Sequence, residues 1–287
     1  MSKRSGPLAP GVAFITGGAR GLGNAIAVSF AKEGARGVVL VDVQDEKTFK
    51  EGKQKVESYG TECLTIRADV TKEAEIEYAV QQAVQKFGRI DYAANFAGIL
   101  GPSDPISETS LADWQKCQDV NSTGILLAVK HEMRQMIKQS SIDGIEDGRV
   151  GQQGSIVNCA SVNSLLSLPG SVAYTASKHA CHGITKAAAL EGRAHNIRVN
   201  AVSPGFLLTK LVQPVVEGTF ELEEGGDGKK NDAGKAMWAE FEARQGRSAR
   251  FEEIGDVVVL MSLPRMSLVN GQNLFADGGF TINEGNN

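Results

Sequence analysis

Residues 12–15 are an unbroken apolar run, Val-Ala-Phe-Ile, and the chain then turns through Thr16, Gly17 and Gly18. Leu22, Ile26 and Phe30 follow at helical spacing until Gly34 ends the pattern. A strand that delivers its chain through glycines straight into a helix opens a βαβ unit. Further apolar runs at 38–41, 63–66, 90–94, 155–158, 197–202 and 272–276 predict strands. Between them, Thr71 is the expected N-cap of a helix whose apolar face is Ile76, Val80, Ala83, Val84 and Phe87. Ser110 and Asp113 form a capping-box pair opening a long helix through Trp114 and Leu126. Continuous apolar strands imply that both sheet faces are covered. The expected architecture is α/β: a Rossmann-like, doubly wound parallel sheet with helices on both faces, one domain over residues 1–287.

Three stretches break the alternation. Residues 1–10 read as a flexible N-terminus and 139–154 as a surface loop. Residues 211–246 combine an acidic, glycine-rich middle with Met237, Trp238 and Phe241, and are expected to form a mobile substrate lid. Trp238 is its candidate substrate contact.

A net charge of −4 disfavours nucleic acid or an anionic membrane as the main partner. No apolar run has the length of a transmembrane helix, and residues 1–10 lack the apolar core of a signal peptide. The four cysteines contain no C-x-x-C pair, which fits small core residues in a reducing compartment, so a cytoplasmic protein is expected. His179 and His182 stand three apart, but two histidines lack the other ligands of a tetrahedral site, and no metal is expected.

Glycines in the 16–23 turn let the backbone approach a pyrophosphate, and the helix behind them offers free N–H groups and a positive dipole end. The spacing departs from G-x-G-x-x-G, so the turn by itself is equally consistent with plain strand-to-helix packing. Asp42 closes the second strand, where a carboxylate accepts from the adenine ribose hydroxyls and opposes a 2′-phosphate. Arg20 pulls toward that phosphate. NAD is the expected cofactor and NADP the alternative.

Tyr174 and Lys178 lie four apart on a helix, so phenol and ammonium share a face. A neighbouring cation lowers a tyrosine pKa and equips it for proton transfer to or from a substrate oxygen. Ser161 follows a strand end, where its hydroxyl can hold the same oxygen. Asn121 faces inward and needs a polar partner, which a water relay toward Lys178 would supply.

These residues resemble the classical short-chain dehydrogenase/reductase family along nearly the whole chain. The resemblance rests on Thr16 to Gly23, Asp69, Asn95 with Ala97 and Gly98, the set Asn121, Ser161, Tyr174 and Lys178, Pro204 to Thr209, and Asp277-Gly-Gly. It implies cofactor contacts from Gly17, Arg20, Gly21, Leu22, Gly23, Asp42, Asp69, Val70, Asn95, Ala97, Gly98, Tyr174, Lys178, Pro204, Gly205, Leu207 and Thr209. It implies substrate contacts from Ser161 and Tyr174, and a homo-oligomer, with a tetramer favoured. Phe96 and Ala160 depart from the family's usual asparagine and serine. The expected activity is interconversion of a secondary alcohol and a ketone by hydride transfer, on a hydrophobic or cyclic small molecule. An NADP-dependent ketoreductase and a non-catalytic dinucleotide-binding redox sensor are the alternatives.

Overall fold

The computed structural model describes residues 8–142, 150–207 and 232–283. The strands are β1 (Val12–Thr16), β2 (Gly37–Asp42), β3 (Glu62–Arg67), β4 (Tyr92–Asn95), β5 (Gly154–Cys159), β6 (Ile197–Pro204) and β7 (Asn273–Ala276). The helices are α1 (Gly21–Lys32), α2 (Glu46–Glu57), α3 (Glu73–Phe87), α4 (Leu111–Gln118), α5 (Gly124–Met136), α6 (Val172–Gly192), α7 (Asp232–Gln245) and α8 (Phe251–Ser262). The strands form one sheet in the order β3-β2-β1-β4-β5-β6-β7, and every pairing is parallel.

Alternate strand residues feed two cores. Val12, Phe14, Val39 and Val41 meet α3, α5 and α6 through Ile76, Val129 and Ala188. Ala13, Ile15, Val38 and Leu40 meet α1, α2 and α8 through Ile26, Phe49 and Val258. Burying a side chain such as Phe14 or Ile15 contributes about 1.5–3 kcal/mol, which explains why strands this short hold their place. The parallel register aligns the strand ends: Thr16 pairs with Val41 and Asn95, and Asn95 with Asn158. All the loops that follow strands therefore open along one edge of the sheet.

The doubly wound sheet expected from the apolar runs is present. Several local expectations are corrected. Thr71 is not the cap of α3, which starts at Glu73 with Lys72 before it. The Thr71 N–H and hydroxyl both donate to Asp69 Oδ1, at 2.9 and 2.8 Å, forming a tight turn ahead of the helix. Ile90 is outside β4, because its N–H donates to Gln139 Oε1 at 3.3 Å. The flexible start expected over 1–10 ends sooner: Ala9 is buried and donates its N–H to Glu33 O at 3.0 Å. In the 139–154 loop, Ile142 and Gln152 form an antiparallel bridge, and 143–149 lie outside the described residues.

Ser110 does cap α4, accepting from Asp113 N at 3.1 Å. The helix continues into α5 through a π turn, Asp119–Thr123, that contains Asn121. Inserted π turns interrupt the regular carbonyl ladder and concentrate at functional positions.

Candidate active site

The β1–α1 turn is shaped by glycines with different duties. Gly17 has φ +68, and a Cβ there would stand 2.7 Å from Ala97 N, so the turn packs directly on the loop after β4. At Gly23 a Cβ would overlap the Gly17 carbonyl oxygen, so a side chain would push α1 off the turn. Gly21, with φ +59, has nothing within 4 Å of that position. Arg20 is the extended N-cap of α1 and makes no side-chain cap. The first-turn N–H groups therefore face an open cradle at a helix N-terminus, a fit for a pyrophosphate. Leu22 is half-buried beside it.

Asp42 ends β2 within reach of this cradle. Its Oδ2 accepts Ala19 N–H at 3.1 Å, and its Oδ1 accepts Val43 N–H at 2.8 Å. Each oxygen keeps acceptor capacity for a sugar hydroxyl. Arg20 is exposed, on the rim of the turn. Asp69 braces the exit of β3: its side chain accepts from Thr71 and its carbonyl oxygen from Lys72 N–H at 2.9 Å, while Val70 packs against Gly124.

Asn95 is 1 % exposed, and its amide is occupied by protein groups. Its Nδ2 donates to Glu132 Oε2 and Asn158 Oδ1, both at 3.0 Å, and its oxygen accepts from Thr16 Oγ1 at 3.4 Å. Its side chain thus ties β1, β4, β5 and α5 beneath the cleft, and does not itself line it. Glu132, which sequence reasoning passed over, is fully buried there, and burial pushes its carboxyl up to about 8. Ala97 N–H meets Thr16 Oγ1 at 3.4 Å.

The expected serine, tyrosine and lysine gather around the end of β5, next to β6. Tyr174 sits in the first turn of α6, close enough to Ser161 for the serine hydroxyl to favour its ionised form. The Ser161 Oγ accepts Asn163 N–H at 3.2 Å, and its carbonyl accepts from Ser203 Oγ at 2.8 Å, so β6 holds it in place. Lys178 is 3 % exposed, donates to the Cys159 carbonyl oxygen at 2.8 Å, and lies 5.4 Å from the Tyr174 ring centre.

Two expectations about this group are corrected. Tyr174 is not lowered overall: burial pushes its phenol above the usual value, and the opposing pull of Lys178 and of the Ser161 hydroxyl offsets only part of that. For Lys178, burial by itself would depress the amine, but it stays above its usual value because Cys159, Tyr174 and Cys181 beside it oppose loss of its proton once they ionise. Asn121 needs no water to satisfy its amide. Its Oδ1 accepts Ile99 N–H at 2.9 Å, while its Nδ2 donates to Ile99 O at 2.8 Å and Ser177 Oγ at 3.2 Å. A Cβ on Gly98 would stand 3.3 Å from Asn121 Oδ1 and 3.9 Å from Lys178 Nζ, so this glycine keeps the space between them open.

Pro204, which ends β6, and Leu207 beyond it are buried, and Gly205 lies against Gln245 of α7 and the Asp277 backbone. Thr209 lies outside the described residues, as does 211–231 of the expected lid. Trp238 is 7 % exposed and meets Phe206 edge-on at 6.2 Å. Phe206 also stacks on Phe241 at 4.1 Å and meets Phe280 at 4.8 Å. The Trp238 ring is thus committed to an aromatic cluster with Phe206.

A parallel sheet with a glycine turn after β1 and a serine, tyrosine and lysine around the end of β5 fits a nicotinamide-type oxidoreductase. The chain belongs to the short-chain dehydrogenase/reductase family. The family profile described as Enoyl-(Acyl carrier protein) reductase matches residues 17–281. The chain is 37% identical over 278 residues to Short-chain dehydrogenase anuF of Penicillium roqueforti, covering 95% of this chain and 96% of that one. It is 34% identical over 273 residues to (+)-borneol dehydrogenase 2 of Salvia officinalis, covering 94% and 89%. Among solved structures, levodione reductase superimposes with a TM-score of 0.83 at 30% identity, covering 96% of this chain and 99% of that one. Among the described residues no helix is long and apolar enough to cross a membrane.

Proposed function

We propose that this chain interconverts a secondary alcohol and a ketone, with Tyr174 as the acid/base and NAD as the hydride carrier. The observation that carries the reading is the gathering of Tyr174 and Ser161 beside the buried Lys178 side chain, whose Nζ lies 5.4 Å from the Tyr174 ring centre. In oxidation, the Tyr174 phenolate removes the hydroxyl proton of the substrate while Ser161 holds the same oxygen. In reduction the phenol returns that proton. Lys178 favours the phenolate by its charge. Asn121 fixes the loop after β4 against α6 through Ile99 and Ser177. Gly17, Gly21, Gly23 and the α1 N-terminus hold the pyrophosphate, and Asp42 holds the adenine ribose. Bound there, the nicotinamide supplies the hydride acceptor or donor.

NAD is favoured because the Asp42 carboxylate already lies against the turn through Ala19. NADP stands as the second reading on the strength of the exposed Arg20 side chain beside it. A cyclic, hydrophobic substrate is supported by the likeness to a borneol dehydrogenase. A homotetramer is supported by the exposed Leu111 and Leu126 on α4–α5 and Leu190 on α6, apolar surface that a second copy can cover. The test is nicotinamide absorbance with a panel of cyclic and open-chain secondary alcohols, with each cofactor. Turnover of cyclic alcohols with NAD supports the reading. Tight NADH binding with no turnover of any alcohol or ketone would favour the redox sensor instead.

A further inference from the structure

Gln245 ends α7 and is 4 % exposed, yet its side chain is fully engaged. Its Oε1 accepts Phe206 N–H at 2.6 Å, and its Nε2 donates back to Phe206 O at 3.1 Å. The second amide hydrogen goes to Arg247 O at 2.8 Å. A primary amide that pairs with both backbone groups of one residue fixes that peptide's orientation, as a neighbouring strand would. The fit is close. A Cβ on Gly205 would overlap Gln245 Oε1, and one on Gly278 would overlap the Gln245 carbonyl oxygen.

The same helix end is held from its other side. Arg244 Nε donates to Phe280 O at 3.0 Å, its guanidinium lies 4.3 Å from the Phe280 ring centre, and Asn283 Nδ2 donates to Arg244 O at 3.2 Å. The exit of β6, the end of α7 and the turn after β7 therefore meet at Gln245. Their rings interlock above it, with Phe206 against Phe241 and Phe280.

The sheet order says what this junction serves. Asp42 and Asp69, at the ends of β2 and β3, mark the adenine side, and Ser161, at the end of β5, marks the reacting side. β6 adjoins β5 on the side away from β1, so residues 205–207 border the reacting end of the cleft. Strand exits of such sheets are where ligands meet backbone groups. A glycine exit tied only at Pro204 would sample many conformations, and each ordered residue costs about 1–2 kcal/mol of backbone entropy on ligand binding. The Gln245 amide removes that cost before the ligand arrives.

We propose that Gln245 is a positioning residue for the nicotinamide end of the dinucleotide. It holds residues 205–207 ready for the nicotinamide ring and couples that end of the site to α7. This rests on the dinucleotide reading above. The prediction is selective, because ADP-ribose shares every part of NAD except the nicotinamide. Gln245→Met keeps the length and loses both Phe206 bonds, whereas Gln245→Glu keeps an acceptor for Phe206 N–H. NADH and ADP-ribose affinities are measured by calorimetry on both variants and the wild type.

With Gln245→Met, NADH affinity should fall about tenfold or more while ADP-ribose affinity changes by no more than about twofold. Gln245→Glu should retain part of the NADH affinity, and carries the comparison if Gln245→Met does not fold. Parallel loss of both ligands, or loss of neither, overturns the assignment and leaves Gln245 a packing residue. Wild-type protein that binds neither ligand overturns the dinucleotide reading itself, and this inference with it.

Discussion

The Lys178 ammonium donates to the carbonyl oxygen of Cys159 across 2.8 Å, so the last residue of β5 aims a charge from α6 at the Tyr174 ring, 5.4 Å away. Strand and helix are thereby joined beside the proposed acid/base. The bond also restrains a side chain whose rotamer freedom would otherwise cost about 2 kcal/mol to order.

Lys178→Met should keep the packing of α6 and remove that charge. Because the ammonium lowers the Tyr174 pKa, its loss should move the rise of oxidation rate to higher pH. At neutral pH the rate should fall by a factor of about 100 or more, the range expected for weakened acid/base catalysis. The pH profile of kcat/KM checks this, and an unshifted profile would mean that Lys178 does not set the phenol's ionisation.

On the proposed reading, cofactor choice turns on Asp42. Asp42→Asn keeps an oxygen for Ala19 N–H and discards the charge, so the turn should survive. Charge-assisted hydrogen bonds contribute about 1.5–3 kcal/mol, so NAD efficiency should fall by about one to two orders of magnitude. NADP efficiency should rise, because repulsion of the 2′-phosphate is gone. Arg20→Ala should weaken NADP use more than NAD use. Kinetics with both cofactors on the two variants decide it, and wild-type protein indifferent to the 2′-phosphate would contradict the assignment.

Glu132 makes stability depend on pH. Its carboxyl is raised from 4.5 to about 8 by burial, which the Asn95 hydrogen bond only partly opposes. Between those values the folded chain holds a proton that the unfolded chain has released, so this group's contribution is full below pH 4.5 and is lost as pH rises through about 8. Glu132→Gln preserves the Asn95 contact and cannot ionise. Urea unfolding from pH 5 to 9 should therefore show a flatter decline in the variant, and equal slopes would show that Glu132 does not carry this proton.

The βα alternation, the glycine turn and the Tyr174–Lys178 pair were legible because each is written in neighbouring residues. Three helices were not, α7 among them. α2 buries only Phe49, Gly52 and Val56 along a strongly charged segment, and α8 follows the irregular stretch that obscures its start. Relations across the fold left no local trace: Asp42 reaches Ala19 from 23 positions away, and Gln245 reaches Phe206 from 39. The direction of the Tyr174 shift was misjudged for the same reason. An i, i+4 spacing shows the lysine beside the phenol, but not the burial that outweighs it. Of the expected lid segment 211–246, residues 232–245 form helix α7, whose end is tied to Phe206 and Phe280, a relation no local pattern shows.

The most direct test of the account is Tyr174→Phe, with NADH affinity and single-turnover hydride transfer measured on the same preparation. The variant loses one hydroxyl and keeps the ring against Lys178. NADH should bind within about threefold of wild type while hydride transfer falls by a factor of about 100 to 10,000 in both directions, the range for removing a positioned acid/base. Hydride transfer within a few-fold of wild type would show that another group moves the proton, and the role given to Tyr174 would be wrong.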